Sequence, residues 1–209
     1  TGFGSLSRKR VADGDLAALQ QNLVRSHAAG VGPELPRDVV RGMMVLLAAS
    51  LCRGNSGVRP AVVERLVEML NSGLTPRVPE VGSVGASGDL APLAHVALAL
   101  IGEGELAEGK RLGVFELEAK EGLALINGTH LMAAQAALLA FDLGRFFDAA
   151  IAAAAMSIDA CRGTDAFLDE RVYAVRNHTG PGLVAARMRG LLKGSQIVVS
   201  HRENDPRVQ

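Results

Sequence analysis

Val81-Gly82-Ser83-Val84-Gly85-Ala86-Ser87-Gly88-Asp89-Leu90-Ala91-Pro92-Leu93 sets three glycines, Gly82, Gly85 and Gly88, at a spacing of three directly ahead of an apolar helical stretch. A dinucleotide-binding loop needs Gly-x-Gly-x-x-Gly after a strand, and a phosphate loop needs Gly-Lys-Ser/Thr; neither pattern is here. A nucleophile elbow needs Gly-x-Ser-x-Gly, but the residue two after Ser87 is Asp89. As plain architecture, the stretch is a loop with Asp89 capping a helix to Ile101, and with Pro92 in the first turn, where its missing N–H costs nothing. Ala86-Ser87-Gly88 has a second property. In a tight turn the Gly88 nitrogen, unhindered by a Cβ, can approach the Ala86 carbonyl carbon and close a five-membered ring with loss of water. Dehydration of Ser87 then leaves a methylidene carbon conjugated to that ring, an electrophile no ordinary side chain supplies. A helix N-terminus beside it stabilises negative charge developing on the ring oxygen.

Outward from this loop the chain reads as helices. Asp15 precedes Leu16, Leu19, Leu23 and Val24 on one face, stopped by Gly30, and His27 lies on that face because 11 residues is close to three turns at about 3.6 residues each. Pro36 opens a second helix through Leu51, and Pro60 a third through Asn71 with Gly73 at its end. Residues 103–120 lose the helical period and suit a short hairpin or irregular excursion. Thr129 to about Arg162 is one long Ala-rich helix, or two nearly collinear ones bent near Gly144, apolar on almost every side and expected to be buried between subunits. Pro181–Lys193 is a last helix, and Ile197–Ser200 an extended tail. The expectation is a single all-α unit over residues 1–209.

Composition narrows the function. The 22 Lys and Arg balance 22 Asp and Glu, so nothing draws the chain to nucleic acid or to an anionic membrane. The longest apolar run, Ala149–Met156, is far short of the roughly 18 residues a membrane helix requires. Cys52 and Cys161 form no disulfide framework or zinc spacing; they suit a reducing compartment, and their apolar helices predict buried thiols. His95, His178 and His201 share no metal-binding spacing, so no metal is expected.

Residues 82–93 resemble the signature of the aromatic amino acid ammonia-lyase family, whose Ala-Ser-Gly triplet forms 4-methylidene-imidazol-5-one. Thr1-Gly2-Phe3-Gly4 resembles that family's early loop, Asn22-Leu23-Val24-Arg25-Ser26-His27-Ala28-Ala29-Gly30 its substrate-selectivity helix, and Lys120–Thr129 its second inner segment. The resemblance covers essentially the whole chain. It implies an all-α helical bundle of the histidine ammonia-lyase/fumarase-like type, a self-made prosthetic ring from Ala86, Ser87 and Gly88 with no external cofactor, and a cytoplasmic homotetramer. In this family Ser-His at the selectivity pair resembles the histidine enzymes, whereas tyrosine and phenylalanine enzymes tend to carry His-Leu or Phe-Leu. Ser26-His27 therefore implies L-histidine as substrate, deaminated to urocanate and ammonia, with His27 answering the substrate imidazole and Ser26, Leu90 and Asn127 beside it.

Taken without the resemblance, His27 is a satisfied histidine at a helix end, and Asn127 caps the long helix beginning near Thr129. His130 stands where Gln is more usual in histidine-specific members and is assigned no catalytic role. The same-class alternative is a phenylalanine or tyrosine ammonia-lyase or 2,3-aminomutase. The different-class alternative is a non-catalytic helical assembly module. The family's catalytic Tyr, expected four residues ahead of Thr1, and the Tyr and Arg expected beyond Asp205–Gln209 do not fall in this sequence, and residues 111–120 are shorter than in relatives. The expectation is an N-terminal portion of a longer lyase, inactive by itself because positioning groups worth several kcal/mol lie elsewhere.

Overall fold

A computed structural model describes residues 8–200. The expectations placed on Thr1–Gly4, His201 and Asp205–Gln209 lie outside the described residues. The chain divides into two compact units, residues 1–138 and 139–209.

The first unit is built on helices α1 (Leu16–His27), α2 (Arg37–Cys52), α3 (Pro60–Asn71), α4 (Leu90–Leu100) and α5 (Glu121–Ile126), with the first turns of α6 (His130–Ala160). In α2 the buried positions Val40, Met43, Met44, Leu47, Ala48 and Leu51 repeat at helical spacing, so one stripe faces inward. α3 opens with Pro60 at its first position and buries Val62, Leu66 and Met69 against that stripe. α4 is apolar on nearly every side and is correspondingly enclosed, with Leu93, Ala94, Val96, Ala97 and Leu100 all buried. It packs against α1 and α5.

Between α1 and α2 lies an element the periodicity does not announce. β1 (Val31–Glu34) pairs antiparallel with β2 (Pro79–Val81), Val31 opposite Val81 and Glu34 opposite Pro79. All four β1 residues are exposed and two are Gly32 and Pro33, so neither alternation nor propensity marks a strand. The 103–120 excursion is irregular rather than a hairpin. Among the described residues its one bridge joins Pro76 to Leu106, and its start is folded back on the end of α4 by Glu103 and Gly104 N–H groups donating to the Leu98 carbonyl.

The second unit comprises the remainder of α6 with α7 (Glu170–Arg176), α8 (Thr179–Leu192) and α9 (Gln196–Val199) around Ile151, Ala155, Leu168, Ala185, Met188, Leu192 and Val198. α6 is one helix. Leu139, Phe141, Leu143, Phe146 and Phe147 are exposed on it in the single chain, as a helix whose cover comes from another subunit would be. The tail read as extended is the helical turn α9, started by the Ser195 hydroxyl accepting from Val198 N–H. Both cysteines are exposed, correcting the expectation of buried thiols: Cys52 ends α2 outside its apolar stripe, and Cys161 follows the last residue of α6.

A buried charge ties the start of α5 to the residue that precedes α3. The Glu121 carboxylate, almost wholly enclosed, accepts from the backbone N–H of Arg59 (3.0 Å) and Glu118 (2.7 Å) and from the Arg59 guanidinium (2.9 and 2.8 Å). Burial pushes its pKa up, but the Arg59 hydrogen bonds more than offset this and hold the carboxyl below its ordinary 4.5. Its stabilising contribution is therefore present above that value and lost as pH falls through the depressed folded one. Arg59→Ala, which leaves the carboxylate buried without its cation, is expected to lower the unfolding free energy by about 2 kcal/mol, discounted for the partial exposure of Arg59. Urea denaturation at neutral pH checks this, and the variant's deficit should shrink at a pH low enough to protonate Glu121 in both proteins.

Candidate functional site

Three segments distant in sequence meet in the first unit, and backbone contacts bring them together. The Val31–Val81 pair draws the end of α1 to the start of the glycine loop. There a Cβ on Gly82 would stand 3.3 Å from the Gly30 Cα and 3.1 Å from the Ala91 side chain, so both glycines serve a close approach. The Gly30 N–H donates to His95 Nε2 at 3.2 Å, tying this junction to α4. Burial holds the His95 pKa below its ordinary value, so the ring stays neutral and able to accept.

The third segment joins at the other end of the loop. A Cβ on Gly88 would collide with the Gly128 carbonyl, and the Asp89 N–H donates to that same oxygen at 2.7 Å. Asp89 is fully buried. Its Oδ1 accepts from the Ser83 hydroxyl at 2.8 Å, and its Oδ2 accepts from the N–H groups of Leu131 and Met132 at 2.9 and 3.1 Å. Asp89 thus makes no side-chain cap on α4, the helix it precedes, and instead caps α6, whose first-turn N–H groups have no partner within the helix. This corrects two expectations, because Asn127 does not cap the long helix either. It terminates α5, its own N–H donating to the Leu123 carbonyl.

Between these anchors the loop stands out from the surface. Ala86 and Ser87 are exposed while Gly88 is buried. Gly85, Ser87 and Gly88 all have positive φ (67°, 59° and 97°), and for Ser87 that conformation costs on the order of 1 kcal/mol. The fixed ends hold it there. Small side chains at 86 and 88, no space for a Cβ at 88, and an exposed serine hydroxyl between them fit a backbone ring closure at this triplet. Leu90, half-buried, is the first residue of α4, so the helix N-terminus begins beside the triplet.

On α1, Leu23, Ser26 and His27 form a local cluster. The Leu23 carbonyl accepts from Ser26 Oγ at 2.9 Å and from His27 Nδ1 at 2.8 Å, with Ser26 Oγ 3.1 Å from Nδ1. A carbonyl can only accept, so His27 Nδ1 carries a proton and Nε2 is the nitrogen left to face a ligand. The helix is anchored by Arg25, paired in a two-pronged contact with Glu103 (2.7 and 2.6 Å) that Gln21 joins at 3.0 Å. No sequence signal marks Glu103 or the Asp89–α6 link, since each partner lies tens of residues away. Among the described residues, no group of three His, Cys, Asp or Glu could hold a metal ion, and no helix is long and apolar enough to cross a membrane.

Asp89→Asn should destabilise the chain by about 2–3 kcal/mol, because an amide offers one acceptor oxygen where two are in use and leaves a buried donor unpaired. Chemical denaturation measures it, and amide exchange should accelerate selectively at Leu131 and Met132.

The family model described as aromatic amino acid lyase matches residues 1–209. A histidine ammonia-lyase of Sorangium cellulosum is 50% identical over all of this chain and 43% of its own length. The chain therefore spans less than half the length of that curated relative. Among solved structures, histidine ammonia-lyase from Trypanosoma cruzi matches with a TM-score of 0.82 and 36% identity, over 89% of this chain and 39% of its own. Tyrosine aminomutase from Streptomyces globisporus matches with a TM-score of 0.85 and 39% identity, over 93% of this chain and 39% of its own. The chain belongs to the aromatic amino acid lyase family.

Proposed function

We propose that this chain carries the electrophile-forming loop and the ring-selecting helix of a histidine ammonia-lyase, which converts L-histidine to urocanate and ammonia. The observation that carries the reading is the convergence of the Ala86-Ser87-Gly88 loop, the Ser26-His27 end of α1 and the Asn127-Gly128 corner through the Gly30–Gly82 and Gly88–Gly128 contacts. The 50% identity to the Sorangium enzyme supports the substrate.

Ala86, Ser87 and Gly88 would become 4-methylidene-imidazol-5-one, with no external cofactor, metal, nucleic acid or membrane involved. When formed, this group supplies an electrophilic methylidene carbon that prepares the amino acid for loss of ammonia. The chain's other residues bind and orient. Asp89 and the Gly128 carbonyl hold the loop, and the α4 N-terminus favours negative charge beside it. His27, its Nδ1 proton committed to the Leu23 carbonyl, accepts from the substrate imidazole N–H through Nε2. Ser26 steadies that tautomer, Leu90 offers an apolar contact, and the Asn127 amide donates to a carboxylate or ring oxygen. The exposed apolar residues Leu139, Phe141, Leu143, Phe146 and Phe147 of α6 suit burial in a homotetramer. The unpaired Cys52 and Cys161 suit the cytoplasm.

A tyrosine or phenylalanine 2,3-aminomutase or ammonia-lyase is the second reading, favoured by the slightly higher structural similarity to tyrosine aminomutase. Ser26→His with His27→Leu discriminates: the histidine reading expects kcat/KM to move from L-histidine toward L-tyrosine or L-phenylalanine, and unchanged selectivity would refute the assignment of His27. The ring itself is tested by intact-mass and peptide mapping of the full-length protein. Loss of two waters within the peptide holding residues 86–88 is expected, while an unmodified tripeptide would leave the chain a non-catalytic helical module.

A further inference from the structure

Resting on the ring-closing reading of residues 86–88, the geometry of Gly128 extends the site by one residue that the family resemblance leaves without a role. Gly128 is pinched from two sides. Its carbonyl meets the Gly88 Cα closely enough that a Cβ on Gly88 would collide with it, and a Cβ on Gly128 would in turn collide with Cε1 of the His130 ring and lie 2.5 Å from its Nδ1. The three residues therefore form a contact series, imidazole on glycine on glycine, ending at the backbone whose nitrogen must be delivered to the Ala86 carbonyl carbon. His130 Nδ1 is inaccessible to solvent and has no hydrogen-bond partner among the described residues. Burying an unpaired ring nitrogen is costly, and the Nδ1 edge of the ring is held against Gly128 by packing rather than by a hydrogen bond from that nitrogen. The residue is also fixed at its backbone. It is the first residue of α6, and the next two N–H groups are held by Asp89, which donates its own N–H to the Gly128 carbonyl.

We propose that His130 is a positioning residue for the self-modification of the chain: its imidazole backs the Gly128 peptide, which fixes the Gly88 backbone for condensation with Ala86. The step balances without oxidant or reductant. The Gly88 nitrogen bonds to the Ala86 carbonyl carbon, and that carbonyl oxygen leaves as water with the amide hydrogens of Gly88 and Ser87. The Ser87 hydroxyl then leaves as a second water with the hydrogen of its own Cα. His130 touches none of the reacting atoms; it limits how far the Gly128 peptide can retreat when Gly88 moves. A gap behind that peptide allows the retreat, and small misplacements are enough to slow a ring closure severely.

The experiment follows dehydration by intact mass in the full-length protein, sampled over time from a pulse of synthesis, for the parent chain and for His130→Ala and His130→Gln. His130→Ala is expected to lose its two waters at least about tenfold more slowly at an unchanged circular dichroism spectrum, because the fold survives and only the backing is lost. His130→Gln, which restores bulk behind Gly128, is expected to recover most of the parent rate. A folded His130→Ala that dehydrates at the parent rate would overturn the proposal, as would a folded His130→Gln as slow as the alanine variant. Should His130→Ala not fold, the glutamine variant alone decides, since a rate like that of the parent supports backing by bulk and a tenfold loss contradicts it. If the parent chain itself never loses water, it is the ring-forming reading that fails, and the two failures are told apart in the same spectra.

Discussion

Asp89 is wholly enclosed, and its carboxylate is tolerable there because three donors converge on it: the Ser83 hydroxyl and the N–H groups of Leu131 and Met132. Each donor belongs to a segment that must be placed. Ser83 in turn accepts from the Gly85 N–H, so the carboxylate reaches back through the glycine loop, and the two α6 amides set where the long helix begins. The Asp89 N–H adds the Gly128 carbonyl to the same knot. Remove the charge, and the loop, the α5–α6 corner and the start of α6 lose their common reference.

The glycines are the complement of that knot. Gly30 against Gly82 and Gly88 against Gly128 are places where backbone lies on backbone, and a single methyl group would force the segments apart. With both ends clamped in this way, Ser87 can be held at a positive φ that a free loop would relax. The Ser26-His27 end of α1 is fixed to the same frame by the Gly30–His95 hydrogen bond and by Arg25 on Glu103.

How much of this was legible in the chain follows from range. The stripes of α2 and α3, the proline starts at 36 and 60 and the enclosed α4 are written in local spacing, so their helices stand where periodicity puts them. The ribbon is held by pairing across some fifty residues between strands containing Gly32, Pro33 and Pro79, and no local pattern announces it. Asp89 reads locally as the cap of α4, because nothing within the loop tells that the amides it serves come 42 residues later. Asn127 misleads in the converse way: it precedes a helix but closes the one before it. α5 is only six residues, too short for a periodic signal, and its buried Glu121 is intelligible only once Arg59 is seen beside it. The triplet 86–88 and the pair 26–27 are, by contrast, visible as residue types, and what the fold adds is the joining of their segments at Gly30–Gly82 and Val31–Val81.

The account is tested most directly by electron density across residues 86–88 at a resolution that separates a closed ring from an open chain, recorded for the full-length parent protein and for Asp89→Asn. It predicts a five-membered ring bearing an exocyclic methylidene in the parent and an ordinary serine in the variant. An open polypeptide in the parent would contradict the chemistry, and a ring formed equally in both would contradict the claim that the buried carboxylate holds the loop in its reactive shape.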